Sequence, residues 1–432
     1  LRARRAAPLV ARVGDVPAQP AERELFVALV RRELMLRGGG LLIEAAPGSS
    51  AERIAAARSL AQGSDHPVVV SVGGELGLEG PTVSVALPAL DAAGQRAIWV
   101  EALGGAAVAE DVLDDLVSEF RPEPEEIARV ADEWRCRVEA GETADAAEEH
   151  PLRRRLRAAN RGRYEGLAHV SVPVARREDL VLPEAQSEIL RQLELHVRYR
   201  RTVLEDWGFL RREARGLGVT ALFHGPSGTG KTLAAEVIAG RLGLDLVRVD
   251  LSQVVSKYIG ETEKNLRSIF DAADRGGAVL LFDEADAIFG KRTEVKDSHD
   301  RYANIEVGYL LQRMEAFRGL AILTTNAKQS LDTAFLRRLR FVVAFPFPGA
   351  AERREMWRRA LPAAAPREGL DVDRLARLEA TGASIRNIAL HAAFLAAAER
   401  APVRMAHLFM AARDECARIE KSVSAAEIGG WV

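Results

Sequence analysis

The sequence predicts an α/β fold: a parallel sheet flanked by helices, with a helical subdomain at its C-terminal end and part of a second, related α/β module before it. Three observations carry this. From about Val219 to Phe347, short β-branched runs alternate with amphipathic stretches, the rhythm of parallel strands joined by crossover helices. After Pro346-Phe347-Pro348-Gly349 the composition shifts to Ala, Leu and Arg at helical spacing, so residues 350–432 read as a separate helical subdomain. An ordered internal repeat then ties the first third of the chain to the C-terminal half.

The predicted strands are Thr220–Phe223, Asp245–Asp250, Ala278–Asp283, Leu320–Thr325 and Phe341–Phe345, each followed by a turn or helix signal. The repeat follows the same order. AERELFVALVRRELMLRGGGLLI, residues 21–43, parallels ETEKNLRSIFDAADRGGAVLLF, residues 261–282, each a helix, a Gly-rich turn and an apolar strand. Residues 67–80 parallel 321–332, and VSVALPALDAAGQRAIWVEAL, 83–103, parallels VVAFPFPGAAERREMWRRAL, 342–361, including the Pro, the Arg and the Trp. Helices over 111–140 then follow, like those over 371–400. The first copy lacks the chemistry of the second: Glu44-Ala45 stands against Asp283-Glu284, and Val72-Gly73 against Thr325-Asn326. Gly141 to Ser171 is rich in Arg and Glu with few apolar residues and reads as a linker. The expected organisation is therefore a degenerate partial module at 1–140, a linker at 141–175, the large α/β subdomain at 176–349 and the helical subdomain at 350–432.

Composition excludes several classes. At 432 residues the chain exceeds one core of ordinary size and implies two or three folding units. Its 48% hydrophobic and 28% charged content is that of a folded protein, and a formal net charge of -2 gives no hint of a polyanionic partner, so nucleic acid is not expected. Cys136 and Cys416 lie far apart without metal-ligand spacing, which argues against a disulfide framework or a zinc site and suits a reducing cytoplasm. No stretch approaches the roughly 20 apolar residues needed to cross a bilayer, and no signal-peptide pattern opens the chain, so a soluble protein with no membrane partner is expected. The first residue is Leu1, not Met, which predicts further sequence upstream.

The chemistry concentrates in a few segments. GPSGTGKT follows an apolar strand and opens a helix near Thr232, the setting in which such a loop binds phosphate. Its residues are Gly225, Pro226, Ser227, Gly228, Thr229, Gly230, Lys231 and Thr232. The glycines let backbone amides turn inward, and the helix N-terminus adds partial positive charge. Lys231 is expected to reach the β- and γ-phosphates of ATP, and the Thr232 hydroxyl to ligate Mg²⁺. VLLFDEAD, 279–286, sets two carboxylates at the end of a buried strand: Asp283 for the magnesium shell and Glu284 to orient and deprotonate the attacking water. Thr324-Thr325-Asn326 ends the next strand and would hold the same water through Asn326, unless that Asn merely forms a turn. LDTAFLRRLR, 331–340, gathers Arg337, Arg338 and Arg340 before the last strand, as phosphate-directed cations or as plain surface salt bridges.

The ordered set GPSGTGKT, KYIGETEKNL, LLFDEAD, TTN and FLRRLR resembles the AAA family of AAA+ ATPases, over residues 179–400. The resemblance implies an AAA+ P-loop module with a C-terminal helical lid, preceded by part of a degenerate AAA-like module. It implies ATP hydrolysis with Mg²⁺ in a homo-oligomeric, hexameric ring, with Arg337 and Arg340 acting across the subunit boundary. TGASIRNIAL, 381–390, is similar to the start of the family's lid helix and puts Arg386 where a nucleotide sensor would lie. Lys257-Tyr258-Ile259-Gly260 falls where the family carries a pore loop, so Tyr258 and Ile259 would grip a threaded chain; packing in the core is the alternative. Asp283 to Asn326, together with the degenerate first module, looks like the AAA ATPases encoded beside bacterial extracellular contractile injection systems. In that stretch His299 reads as a surface or interface residue.

Three functions compete on the sequence alone: a ring-shaped motor that remodels protein clients, for instance in assembling or recycling a contractile sheath; an ATP-gated assembly scaffold that does not translocate; and a nucleic-acid motor using the arginines of PLRRRLRAANRGR, 151–163. The protein-remodelling motor is the expectation, and the nucleic-acid motor is the least favoured.

Overall fold

The computed structural model describes residues 8–17, 19–45, 51–62, 64–72, 82–85, 90–106, 108–142, 149–209, 218–251, 261–285, 308–326, 336–422, 424–429 and 431. They form two compact units that divide between Ala89 and Leu90. In the first unit, strands β1 (Leu9–Arg12), β2 (Leu41–Glu44) and β3 (Val68–Ser71) make a parallel sheet in that order. Helix α1 (Pro20–Arg37) joins the first two strands, and α2 (Ala51–Ala61) precedes the third. Pro20 opens α1, where its missing amide costs nothing, and Gly38 ends it in the left-handed region at φ 60°. Leu34, Ile43, Ala57 and Leu60 are buried together in this unit's core.

The second unit holds a six-stranded sheet. Its strands are β4 (His169–Ser171), β5 (Val219–His224), β6 (Leu246–Asp250), β7 (Val279–Asp283), β8 (Leu320–Thr325) and β9 (Phe341–Ala344), in the order β4-β6-β7-β8-β5-β9. The five predicted strands recur, displaced by at most one residue at either end. The strand missed is β4, a three-residue antiparallel edge on β6 that is too short to carry a period of its own. Alternation along the parallel strands explains the layering. Leu222, Leu280, Phe282, Ala321 and Leu323 point to one buried cluster, whereas Ala221, Phe223, Val279, Leu281 and Ile322 point to the other. Both faces are covered, and fully burying each Leu, Ile or Phe contributes about 1.5–3 kcal/mol.

Helices α3 (Ala92–Leu103), α4 (Glu110–Glu119), α5 (Pro124–Glu139) and α6 (Pro151–Arg161) share a core containing Trp99, Leu116, Phe120, Ile127, Trp134, Leu152 and Leu156. Sheet-covering helices α7 (Glu184–Arg198), α8 (Lys231–Leu242) and α9 (Glu261–Gly276) follow, and residues 308–316 are also helical. After β9 come α10 (Ala350–Ala360), α11 (Val372–Leu375), α12 (Gly382–Ala398), α13 (Met405–Arg418) and α14 (Ala425–Ile428), packed around Trp357, Ile388, Leu408 and Trp431. Trp99 on α3 and Trp357 on α10, aligned by the repeat, are each buried in their own helical cluster. One turn earlier, Gln95 donates to Phe120 O at 2.9 Å and Arg353 to Ala376 O at 2.9 Å, each tying its helix to the element that follows.

The expected linker over 141–175 needs correction. Within it, residues 151–161 form α6, which buries Leu152, Leu156, Arg157 and Asn160 on one face. Its arginines are not solvated spacers: Arg153, Arg155, Arg157, Arg161 and Arg163 each pair with a carboxylate of this chain. Likewise, α3–α5, which the repeat groups with the first module, lie in the second unit. The helices dock there through charge: Arg157 and Arg161 of α6 both grip Asp245 just before β6, and Glu123 ahead of α5 pairs with Arg275 at 2.6 Å.

Burial would push the Asp245 carboxyl up, but hydrogen bonds from Arg161 and Arg157 outweigh it and hold the group below its ordinary value. A depressed carboxylate contributes stability that is present above its unfolded pKa, about 3.9, and is lost as pH falls through the folded value. The seam should therefore hold at neutral pH and loosen only below about pH 4. Asp245→Asn takes the buried carboxylate from Arg157 and Arg161 and leaves Arg157 with Glu149 alone, and a loss of up to about 3–5 kcal/mol is expected. Urea unfolding at pH 7 checks it; an unchanged midpoint would show that the contact carries no load.

Candidate active site

The sheet order places the glycine-rich loop. β5 lies between β8 and β9, so the loop leaving its C-terminal end emerges beside Thr324-Thr325-Asn326 on one side and Phe345 on the other. Gly225 N donates to Thr325 O at 3.2 Å, and Phe345 N to His224 O at 2.7 Å, fixing both flanks. The loop runs from Gly225 to Gly230, and α8 starts at Lys231, one residue earlier than the sequence implies. Gly225 at φ 148° and Gly228 at φ 77° adopt backbone conformations that side chains disfavour. A Cβ at Gly225 would stand 2.0 Å from Phe345 O. Gly225→Ala should therefore unseat the loop, and a fall in melting temperature with loss of nucleotide binding, read by differential scanning fluorimetry, checks this.

Lys231 is the cation turned into the loop. Its Nζ donates to Gly225 O at 2.7 Å, Pro226 O at 2.9 Å and Asn326 Oδ1 at 2.8 Å, with the side chain largely buried. Asn326 therefore meets Lys231 from the neighbouring strand β8. Asp283 closes β7: it accepts a hydrogen bond from Thr324 Oγ1 and pairs with Arg248 at 2.6 Å. Glu284 follows it, exposed and at φ 53°, held where its own amide donates to Thr324 Oγ1 at 3.2 Å and that of Ala285 to Thr324 O at 2.9 Å. A non-glycine residue kept in this region stores about 1–3 kcal/mol of strain, and such positions cluster at functional sites.

Lys231, Arg248, Asp283, Glu284, Thr324 and Asn326 border one cavity of about 560 Å³ between the sheet and the C-terminal helices, within the range of small-ligand sites. Ser227 to Thr232, Asp283, Glu284 and Asn326 line it from the sheet side, and Arg386 and Asn387 of α12 from the other. Gly228 O accepts from Ala383 N at 3.2 Å, so the first turn of α12 rests on the loop itself. Thr232 and Asp283 bring a hydroxyl and a carboxylate to the same cavity, hard oxygen donors of the kind Mg²⁺ takes.

Sequence reasoning missed three features of this cavity. Arg248 stands at the edge of β6 where the strand alternates buried and exposed, so its period was legible but its partner Asp283 was not. Asp179, Leu180 and Val181, ahead of α7, and Arg359 on α10 line the cavity from segments that carry no motif. Conversely, Arg337, Arg338 and Arg340 do not line it. All three are exposed just before β9. Arg338 pairs with Glu315 at 3.6 Å, whereas Arg337 and Arg340 make no side-chain ion pair among the described residues. Tyr258, Ile259 and His299 lie outside the described residues. Among the described residues no helix is long and apolar enough to cross a membrane, and no group of His, Cys, Asp or Glu is arranged to hold a metal.

Two family models match the chain. Residues 221–348 match the ATPase family associated with various cellular activities (AAA), and residues 91–163 match the contractile injection system ATPase helical domain. Among similar proteins, an uncharacterized AAA family ATPase of Sinorhizobium fredii is 37% identical over 181 residues, 41% of this chain and 52% of that protein. The proteasome-activating nucleotidase of Methanothermobacter thermautotrophicus is 33% identical over 210 residues, 46% of this chain and 51% of that protein. The 26S proteasome subunit RPT4 of Saccharomyces cerevisiae is 34% identical over 184 residues, 40% of this chain and 42% of that protein. The chain spans about half the length of the relatives it matches. The second helical match coincides with α3–α6, the group that grips Asp245. With the loop at Gly225, the acids closing β7 and Asn326 on Lys231 in one cavity, the chain carries an AAA ATPase domain preceded by the helical domain of contractile injection system ATPases.

Proposed function

We propose that this chain hydrolyses ATP and spends the energy remodelling protein clients, working in the cytoplasm as a hexameric ring of identical subunits, in the assembly or recycling of a contractile injection system. The observation that carries the reading is Lys231 Nζ at 2.8 Å from Asn326 in the cavity that also takes in Asp283, Glu284 and Arg386. In this reading the amides of Gly225 to Gly230 and the Lys231 ammonium hold the triphosphate. Thr232 and Asp283 would hold Mg²⁺, which supplies neutralisation of phosphate charge when bound. Glu284 receives the proton of the attacking water, Asn326 orients that water, and Arg386 reports the nucleotide to α12. Arg337 and Arg340, which do not line their own cavity, serve the neighbouring subunit, and Tyr258 with Ile259 grips the client in the pore.

The ring and the protein client are supported by relatives named as proteasome-activating nucleotidases and 26S proteasome subunits, and the cellular setting by the helical domain at 91–163. The arginines of 151–163 bear against a nucleic-acid track, because five of them are engaged inside the chain. We propose further that residues 1–140 descend from a second module in which Glu44-Ala45 and Val72-Gly73 stand in place of the acids and the Thr-Asn, and that now contributes binding.

Glu284→Gln tests the central claim. It should bind ATP normally, release phosphate roughly 10²-fold more slowly or worse, and retain client proteins on the ring. A stalled motor loses its remodelling, whereas an ATP-gated scaffold continues to do its work in the ATP-bound form. Tyr258→Ala separates them from the other side: turnover should persist while remodelling stops, and remodelling that persists would rule out threading.

A further inference from the structure

Another cavity lies at the opposite edge of the sheet, where β6, β7 and β8 begin, roughly one strand length or about 17 Å from the P-loop edge. Its volume is about 410 Å³, and its walls come from α4, α6, the end of α7 and the turns before those strands. Seven arginines line it against three carboxylates, Asp115, Glu119 and Asp274, while Glu205, Asp114 and Glu194 from outside the lining pair with Arg121, Arg201 and Arg241. Arg198, Arg241 and Arg318 are exposed, but the other four are partly buried, and burying cations costs free energy unless counter-charges meet them.

The internal partners fall short. Arg200 donates to Ser118 O at 3.0 Å and Arg201 to Asp114, a carboxylate already shared with Arg96, while Arg121 reaches Glu205 only at 3.9 Å. Among the described residues neither Arg200 nor Arg318 forms a side-chain ion pair, and Arg153 Nε and Arg201 Nε are buried without an acceptor. The arginines also feel one another. Burial and then Arg318 lower the Arg121 guanidinium, and burial and then Arg121 bring Arg200 down to about 10. Nor do the carboxylates hold full charge, since burial lifts Glu119 to about 7 against the pull of Arg153 and also raises Asp274.

We propose that this seam cavity binds a small phosphate-bearing anion, received by Arg121, Arg200, Arg201 and Arg318 and bridging the helical domain to the ATPase sheet. Guanidinium groups from three separate segments offer forked donors to one centre, which suits a multiply charged phosphate better than a single carboxylate. The cavity is of small-ligand size, and Arg200 and Arg318, which form no side-chain ion pair among the described residues, leave guanidinium donors for an anion.

The test uses the full chain bearing Lys231→Ala, which weakens binding at the P-loop, and inorganic tripolyphosphate as the probe. Calorimetry at 150 mM salt should give one saturable site whose Kd rises at least tenfold with Arg318→Gln and with Arg200→Gln but not with the control Arg354→Gln on α10. Arg318 is exposed, so its variant keeps a folded readout if Arg200→Gln does not fold. No saturable binding at millimolar probe, or equal affinity in all variants, overturns the proposal. Both outcomes are separate from ATP turnover, so failure here leaves the proposed motor standing.

Discussion

Lys231→Ala is expected to reduce ATP turnover by roughly 10²- to 10³-fold, the scale on which removal of one preorganised electrostatic donor slows an enzyme. Two loop carbonyls and the Asn326 amide oxygen hold the ammonium in the cavity, a fixed cation for phosphate oxygens. The substitution also removes the donor to Gly225 O and Pro226 O, so circular dichroism should accompany the assay. Phosphate release by folded, oligomeric protein is the measurement. Turnover unaffected by the substitution would dismiss the P-loop as the site of chemistry, and with it the proposed function.

Arg337→Ala should be nearly as damaging, with turnover down about 10³-fold or more if this cation stabilises the transferring phosphoryl group from a neighbouring subunit. The side chain is exposed, makes no ion pair among the described residues and does not line the cavity of its own chain. Mixing decides between an action across the boundary and a local one. Subunits with Lys231→Ala keep Arg337, and subunits with Arg337→Ala keep the P-loop, so mixed rings should regain part of the activity that each variant lacks alone. Absence of any recovery in rings shown to contain both would assign Arg337 to its own subunit or to folding. Arg338, paired with Glu315, serves as the internal control, and its loss should cost far less.

How much was legible beforehand depended on how local the cause was. The five strands of the second sheet were placed to within a residue because buried parallel strands are continuous apolar runs and their ends are marked by glycine and carboxylates. The phosphate loop was legible because its glycines answer a steric demand inside the loop itself. Residues 151–161 misled for the opposite reason. An arginine-dense stretch reads as a solvated linker until Asp245, Glu119 and Glu149, distant in sequence, are set against it. Arg248 escaped notice because its only distinction is the carboxylate it meets across two strands. The division at Ala89 was equally hidden, since α3–α5 repeat the pattern of one module while packing with the other.

The sequence by itself determined the five longer strands of the second sheet, their order along the chain and the chemical kinds of the candidate groups, because period, turn residues and loop sterics act over a few neighbouring positions. Only the tertiary structure decided which groups meet. Lys231 on Asn326, Arg386 facing the loop across the cavity, and an arginine-lined seam at the far edge of the sheet all follow from strand order and helix docking. Those are set by the burial of apolar faces over the whole domain, and burial leaves no local mark on the charged residues it brings together.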